Sequence, residues 1–385
     1  MREHFPWLTA QERDRLFHRP PGGVASDAPA GQLGAGLGAT IYIPSGRPNL
    51  LAALRQAGEC GAVAAVVCLE DSVATEDLLA AEQNLSVELV GADDRTRSQL
   101  PMLFVRPRTP RHLEELATKY RGAIDQITGA CLPKFKAVDA DEWFACVNRV
   151  ADALGRPFLA MPILEGPEVL HAETRVTELL QVKAALQARR DAVVAVRIGA
   201  TDLCGLLGLR RGLDETIYDL VPLASCIADI VNVFGRAEGR LAISGPVWEH
   251  FAREPRIWKP QLRESLFSSG SGSMNRSALR SDLIKQHLDG LIKETVSDRA
   301  NGLAGKTVIH PSHVLPVNAL AVPTHEEWAD ACSITARTSG VEPSRFGNKM
   351  NEAGPHSSWA RGVLERAEIF GVLAEGASFV DIIDA

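Results

Sequence analysis

Phe158-Leu159-Ala160-Met161-Pro162-Ile163-Leu164 is a run of seven apolar residues that ends on Glu165 and breaks at Gly166-Pro167-Glu168. A short apolar run closed by a Gly-Pro break reads as a strand buried on both faces. The stretch that follows, from Val169-Leu170 to Leu179-Leu180, has the spacing of an amphipathic helix. Working outward, the same strand-then-helix unit recurs at residues 39–44, 64–69, 102–106, 128–133, 192–198, 241–244 and 307–310. Eight such units predict an α/β protein of the TIM-barrel type, a closed (β/α)8 barrel. An open doubly wound sheet would place a Gly-rich phosphate turn after its first strand, and Ser45-Gly46-Arg47-Pro48 is no GxGxxG.

The 385 residues, 45% hydrophobic and 23% charged, are ordinary for a globular protein of this size. A net charge of −7 and a pI near 5.9 argue against nucleic acid as a partner, though not against a local pocket for an anionic ligand. The seven cysteines form no CxxC pair and several lie in apolar runs, as Cys68 does, so they read as reduced and structural. No apolar run approaches the roughly 20 residues of a membrane helix, and Met1-Arg2-Glu3-His4 lacks a signal-peptide core. The expectation is a cytoplasmic protein with no membrane partner.

Three segments depart from the repeat. Residues 1–38, with Pro20-Pro21-Gly22-Gly23, read as an irregular N-terminal arm. The barrel proper is expected over 39–324, with an oversized connection at 248–300. Its Ser268-Ser269-Gly270-Ser271-Gly272-Ser273 tract reads either as an inert loop or as a lid. Residues 325–385 form a C-terminal extension with helical patterns near 325–337 and 357–372.

In a barrel the strand C-termini face the site, and here they carry Ser45, Glu70-Asp71, Arg106, Lys134, Glu165, Asp202, Ser244 and His310. Glu165 and Asp202 end adjacent strands. Two converging carboxylates, completed by waters and substrate oxygens, suit a hard cation such as Mg2+, with Mn2+ the alternative. Either residue alone would equally suit a helix start. Arg106 and Arg108 are placed to clamp a carboxylate, while Glu70, Asp71 and Lys134 could orient a base, hold metal-bound waters or form a plain ion pair. Ser45, Arg47, Gly199 and His310 are further candidate substrate contacts. No GxSxG, HExxH or P-loop is present, which excludes serine hydrolases, zincins and P-loop phosphoryl transfer.

Six of these segments, in this order, resemble the citrate lyase β-subunit/HpcH–HpaI aldolase superfamily: Cys68-Leu69-Glu70-Asp71-Ser72-Val73, Val105-Arg106, Leu132-Pro133-Lys134, Ile163-Leu164-Glu165, Gly199-Ala200-Thr201-Asp202-Leu203 and Gly305-Lys306-Thr307-Val308-Ile309-His310-Pro311. The likeness runs from about residue 39 to 314. The connection around Lys259-Pro260-Gln261-Leu262-Arg263-Glu264 and the tail Asn348-Lys349-Met350-Asn351-Glu352 resemble the longer lyase branch associated with tellurium-resistance gene clusters. The resemblance implies a Mg2+-dependent carbon–carbon lyase, with Glu165 and Asp202 as ligands and Arg106 binding substrate oxygens. It also implies a homo-oligomer and an acidic residue from the C-terminal segment, for which Met350-Asn351-Glu352 offers Glu352.

Arg108 stands where these lyases commonly have Asn. With the arm and the insertion, it sets the chain apart from the short CoA-dependent enzymes and points to an additional anionic substrate group such as a phosphate. Small carboxylate, acyl-CoA and phosphorylated substrates all stay open at this point. So do malate-synthase-like condensation with thioester hydrolysis, and a catalytically silent ligand-binding barrel.

Overall fold

The computed structural model describes residues 1–251 and 276–385. Among them, eight parallel strands close into a barrel: β1 (Gly38–Pro44), β2 (Ala64–Cys68), β3 (Met102–Arg106), β4 (Ile127–Leu132), β5 (Leu159–Leu164), β6 (Val196–Ile198), β7 (Ile243–Gly245) and β8 (Gly305–Val308). β1 closes the ring on β8 with Gly38 opposite Gly305 and Ile41 opposite Val308. The seam is tight: a Cβ on Gly305 would lie 2.4 Å from the Gly38 carbonyl oxygen, and Gly38 itself has φ +52°.

All eight expected strands are present, and the differences are at their edges. The run at 192–198 begins with a 3-10 turn (Arg190–Ala192), and only Val196–Ile198 pair as strand. The last strand lies two residues earlier than its apolar run, because Gly305-Lys306 pair with β1 while His310 already caps a 3-10 turn. Hydropathy reports burial, and pairing is set by the neighbouring strand.

The helix Arg276–Ala300 is the outer helix of the seventh unit, so the surplus in the 248–300 connection is shorter than its length implied. The Ser/Gly tract proposed as loop or lid lies outside the described residues. The N-terminal arm is not irregular, as its Pro/Gly content had indicated. It holds the helices Ala10–Leu16 and Ala30–Gly36, and a strand, Phe17–Arg19, that pairs with Val372–Leu373. Phe5, Leu16, Phe17, Leu33 and Leu37 are buried with Ile369 and Phe370 in one cluster that continues into the barrel interior. A Cβ on Gly34 would sit 2.1 Å from the carbonyl of Val194, just ahead of β6, so the second helix lies across the bottom of the barrel. A glycine-rich helix packed by close approach carries no apolar periodicity to read.

The helices His325–Thr335 and Ala353–Phe370 pack on each other through Ala331, Ile334, Ala360 and Val363. The second helix also meets Ala30–Gly36, which brings both chain ends to the face opposite the strand C-termini. All seven cysteines are unpaired. Among the described residues no helix is long and apolar enough to cross a membrane.

Candidate active site

The last residue of β3, Arg106, is buried, and its Nη2 meets three carboxylates: Glu165 Oε1 at 2.8 Å, Glu70 Oε2 at 3.0 Å and Asp71 Oδ2 at 3.2 Å. These charges hold the guanidinium above its ordinary pKa in spite of burial. The Nε of Arg106 has no partner among the described residues. Lys134, two residues past β4, adopts the left-handed conformation at φ +49°, uncommon for a residue with a side chain. That turn aims its backbone N–H at Glu165 Oε1, 2.8 Å away. Its ammonium is half-exposed and sits among Glu70, Asp71 (3.2 Å) and Asp202 (3.9 Å). Burial lowers its pKa, but the two acids outweigh that and raise it.

Glu165 is 3% exposed. Burial is the main reason its carboxyl is pushed up to about 7; Arg106 opposes that and Asp202 adds to it. Asp202 lies in the first turn of the helix Ala200–Leu206, whose N-cap is Gly199. Gly199 is required by the site: a Cβ there would fall 2.2 Å from Glu165 Oε2 and 2.5 Å from its Cβ. Burial also raises the Glu70 carboxyl. For Asp71 burial is outweighed by hydrogen bonding with Glu70 and by Arg106 and Lys134, so its carboxyl is lowered and stays ionised.

The rim thus sets four carboxylates (Glu70, Asp71, Glu165, Asp202) against two cations (Arg106, Lys134). No group of three metal-ligating side chains forms among the described residues. A pair of mutually repelling carboxylates beside a cavity nevertheless fits a Mg2+-type ion, which keeps several of its waters. The cavity, about 410 Å3, is floored by Tyr42, Arg106, Arg197 and Thr307 and bordered by Asp71 and Asp202. A larger one, about 730 Å3, lies between outer helices around Arg240 and Trp359 and touches none of the rim residues; the chemistry belongs to the smaller.

Glu70, Asp71, Arg106, Lys134, Glu165, Gly199 and Asp202 therefore come together as expected from the strand ends. Five other candidates do not join them. The hydroxyl of Ser45 donates to the Ala81 carbonyl (2.8 Å) and ties β1 to the helix Leu78–Val90. Arg47 is exposed on the following loop and does not line the cavity. Arg108 turns back, with Nε on Leu69 O (3.1 Å), Nη2 on Val73 O (2.6 Å) and Nη1 on Thr75 Oγ1 (3.1 Å). These bonds tie it to the loop after β2, and it does not line the cavity. His310 stacks on Phe251 at 5.1 Å and contacts the Ser312 hydroxyl, while Ile309 lines the cavity in its place. Glu352 ends a hairpin strand and starts the helix Ala353–Phe370, outside the cavity of its own chain.

Reading strand ends missed the layer below. Tyr42, Arg197 and Thr307 point inward from within strands, and Glu249 accepts a hydrogen bond from Thr201 (2.6 Å) at the mouth. The arginine inside the apolar run 192–198 was the available signal. Behind the site, Lys306 is fully buried and pairs with Glu294 and Asp298, each at 2.7 Å, while Arg211 holds the other oxygen of Glu294 at 2.6 Å. These contacts lock the helix Arg276–Ala300 to β8.

No curated protein matches the chain in sequence. Among solved structures, the chain is similar to the protein CitE from Mycobacterium tuberculosis in complex with magnesium, acetoacetate and coenzyme A. The two are 21% identical with TM-score 0.53, over 87% of this chain and 99% of that one. RipC from Yersinia pestis follows at 16% identity and TM-score 0.46, over 76% of this chain and 98% of that one. A citrate lyase beta subunit from M. tuberculosis, complexed with oxaloacetate and magnesium, is 20% identical at TM-score 0.44, over 74% and 97%. At such identity the likeness to CitE speaks for the fold. The family model described as C-C bond lyase of the TIM-barrel fold matches residues 32–372, nearly the whole chain, and says nothing of a tellurium association. The chain belongs to the C–C bond lyase family of the TIM-barrel fold.

Proposed function

We propose that the chain cleaves a carbon–carbon bond β to a carbonyl in a small hydroxy-carboxylate substrate, with a divalent cation, Mg2+ or Mn2+, held by Glu165 and Asp202. The observation that carries this reading is the pairing of the buried Glu165 with Asp202 beside Arg106 at one cavity. When bound, the cation supplies positive charge against the negative charge that gathers on the substrate carbonyl oxygen.

The chain's own residues supply the rest. The Nε of Arg106 has no partner among the described residues and the side chain faces the cavity, which suits it to bind a carboxylate or keto oxygen of the substrate. Asp71 is ionised and borders the cavity, so it accepts the hydroxyl proton as the bond breaks. Lys134 donates to Asp71 at 3.2 Å and steadies it, and Asp71 hands the proton it took from the hydroxyl to the enolate carbon, which closes the balance. The backbone N–H of Lys134 fixes the Glu165 carboxylate. The cavity volume suits a small acid, and a thioester carrier would extend beyond it.

Binding of Mn2+ followed by the loss of its free-ion EPR signal tests the cation site without a known substrate. Glu165→Gln and Asp202→Asn should each weaken Mn2+ at least tenfold while the protein stays folded. Undiminished Mn2+ binding in both variants would refute the assignment.

A further inference from the structure

Arg197 carries a charge that the described residues leave unanswered. It lies in β6, 1% exposed, with its side chain directed into the barrel beneath the cavity. Its Nη2 donates to the Thr307 hydroxyl at 2.5 Å, its Nη1 approaches the Met161 sulfur at 3.7 Å, and its Nε has no partner among the described residues. No carboxylate among the described residues lies within ion-pair distance of it. The guanidinium instead sits over the Tyr42 ring, 5.3 Å from the centroid. A cation–π contact and one hydroxyl offset only part of what it takes to strip a guanidinium of water. Arg106, the other cation of this floor, meets three carboxylates, and Lys306, buried to a similar degree two strands away in β8, meets two. Of these three Arg197 alone meets no carboxylate among the described residues, and it lies on the cavity floor.

We propose that Arg197 is a second anion subsite, whose counter-ion is a carboxylate of the substrate. This rests on the lyase reading above and narrows it: the substrate is a dicarboxylate, one end toward Arg106 and the cation pair, the other on Arg197. Both guanidinium groups line the one cavity of about 410 Å3, which gives a single small molecule room to reach both. A single guanidinium assisted by the Thr307 hydroxyl matches one monoanionic carboxylate better than a phosphate dianion, which would draw on more than one cation. The arrangement also has a selective consequence. A monocarboxylate would leave the Arg197 charge unpaired in the complex, and the site would disfavour it.

The test is calorimetric titration with lactate, malate and 3-phosphoglycerate, which share a 2-hydroxy-carboxylate head and differ in what lies beyond it, in the presence of Mg2+. The wild type should bind malate at least tenfold tighter than lactate. Arg197→Met should bring malate to the lactate level and leave lactate unchanged, while Arg197→Lys keeps part of the preference. Without its unpaired charge, ligand-free Arg197→Met should melt no lower than wild type, where a structural arginine would lower the melting temperature on removal. Should the Met variant not fold, the wild-type ratio and Arg197→Lys decide. Equal or absent binding of malate and lactate by the wild type overturns the subsite, as does a malate preference that Arg197→Met retains. Tighter binding of 3-phosphoglycerate than of malate overturns the carboxylate assignment. A malate preference that persists without Mg2+ upholds Arg197 and counts against the cation reading. Mg2+-dependent binding with no preference does the reverse.

Discussion

Gly199 is the smallest residue at the site and one of the least replaceable. Glu165 Oε2 lies against its Cα, so Gly199→Ala pushes the carboxylate off its position without touching any charge. Mn2+ affinity in Gly199→Ala should fall at least tenfold, on the order of 1.4 kcal/mol or more, with the fold retained by circular dichroism. Arg108 makes the opposite prediction. Its three bonds are to the loop after β2, so Arg108→Ala should cost about 1–3 kcal/mol in urea unfolding and change affinity for anionic ligands less than twofold. The sequence could place both arginines of Val105-Arg106-Pro107-Arg108 near the rim but could not aim them. Arg106 ends a strand, where direction follows from the alternation of side chains. Arg108 lies in a loop, where direction depends on carbonyls that sequence does not locate. Lys134 is similar: its identity was legible, whereas the positive φ that points its N–H at Glu165 was not.

At the level of elements, the apolar runs revealed all eight barrel strands because a strand buried on both faces has few polar positions to confuse it, although Lys306 in β8 shifted that strand's apparent bounds. Helices seen through close backbone approach, such as Ala30–Gly36, gave no such signal. The seventh helix is held by charge as well as by packing. Lys306→Met leaves Glu294 and Asp298 buried without their cation, though Arg211 still answers one of them. Breaking a buried pair in this way costs about 3–5 kcal/mol. Chemical denaturation should show that loss, and Mn2+ affinity should change little, since none of these groups reaches the cavity.

The whole molecule is a barrel whose two chain ends cover its bottom and leave its top to the site. His4 belongs to that covering: it is fully buried, its ring tilted at 35° against Phe370 with centroids 4.1 Å apart and its Nε2 2.8 Å from the Gly36 carbonyl. Burial lowers its pKa to about 4. The unfolded chain then takes up a proton near pH 6.5 that the folded chain refuses until about pH 4, so the contribution of His4 is present above 6.5 and is lost as pH falls through that window. Over the full window this amounts to roughly 3 kcal/mol. Urea midpoints from pH 7 to pH 4 should fall more steeply in wild type than in His4→Gln; parallel slopes would contradict the burial of a neutral ring. Phe370→Ala, in the same cluster, should cost about 3–5 kcal/mol.

The central claim, a cation held by Glu165 and Asp202 that works with Arg106 on an enolate-forming substrate, is tested most directly by calorimetric titration of oxalate, a mimic of a pyruvate-type enolate. The titration is run with and without Mg2+, on wild type and on Glu165→Gln. Binding that requires both the metal and Glu165 is the predicted result. Binding that ignores the metal, or that Glu165→Gln leaves intact, or no binding in either protein, would contradict the account.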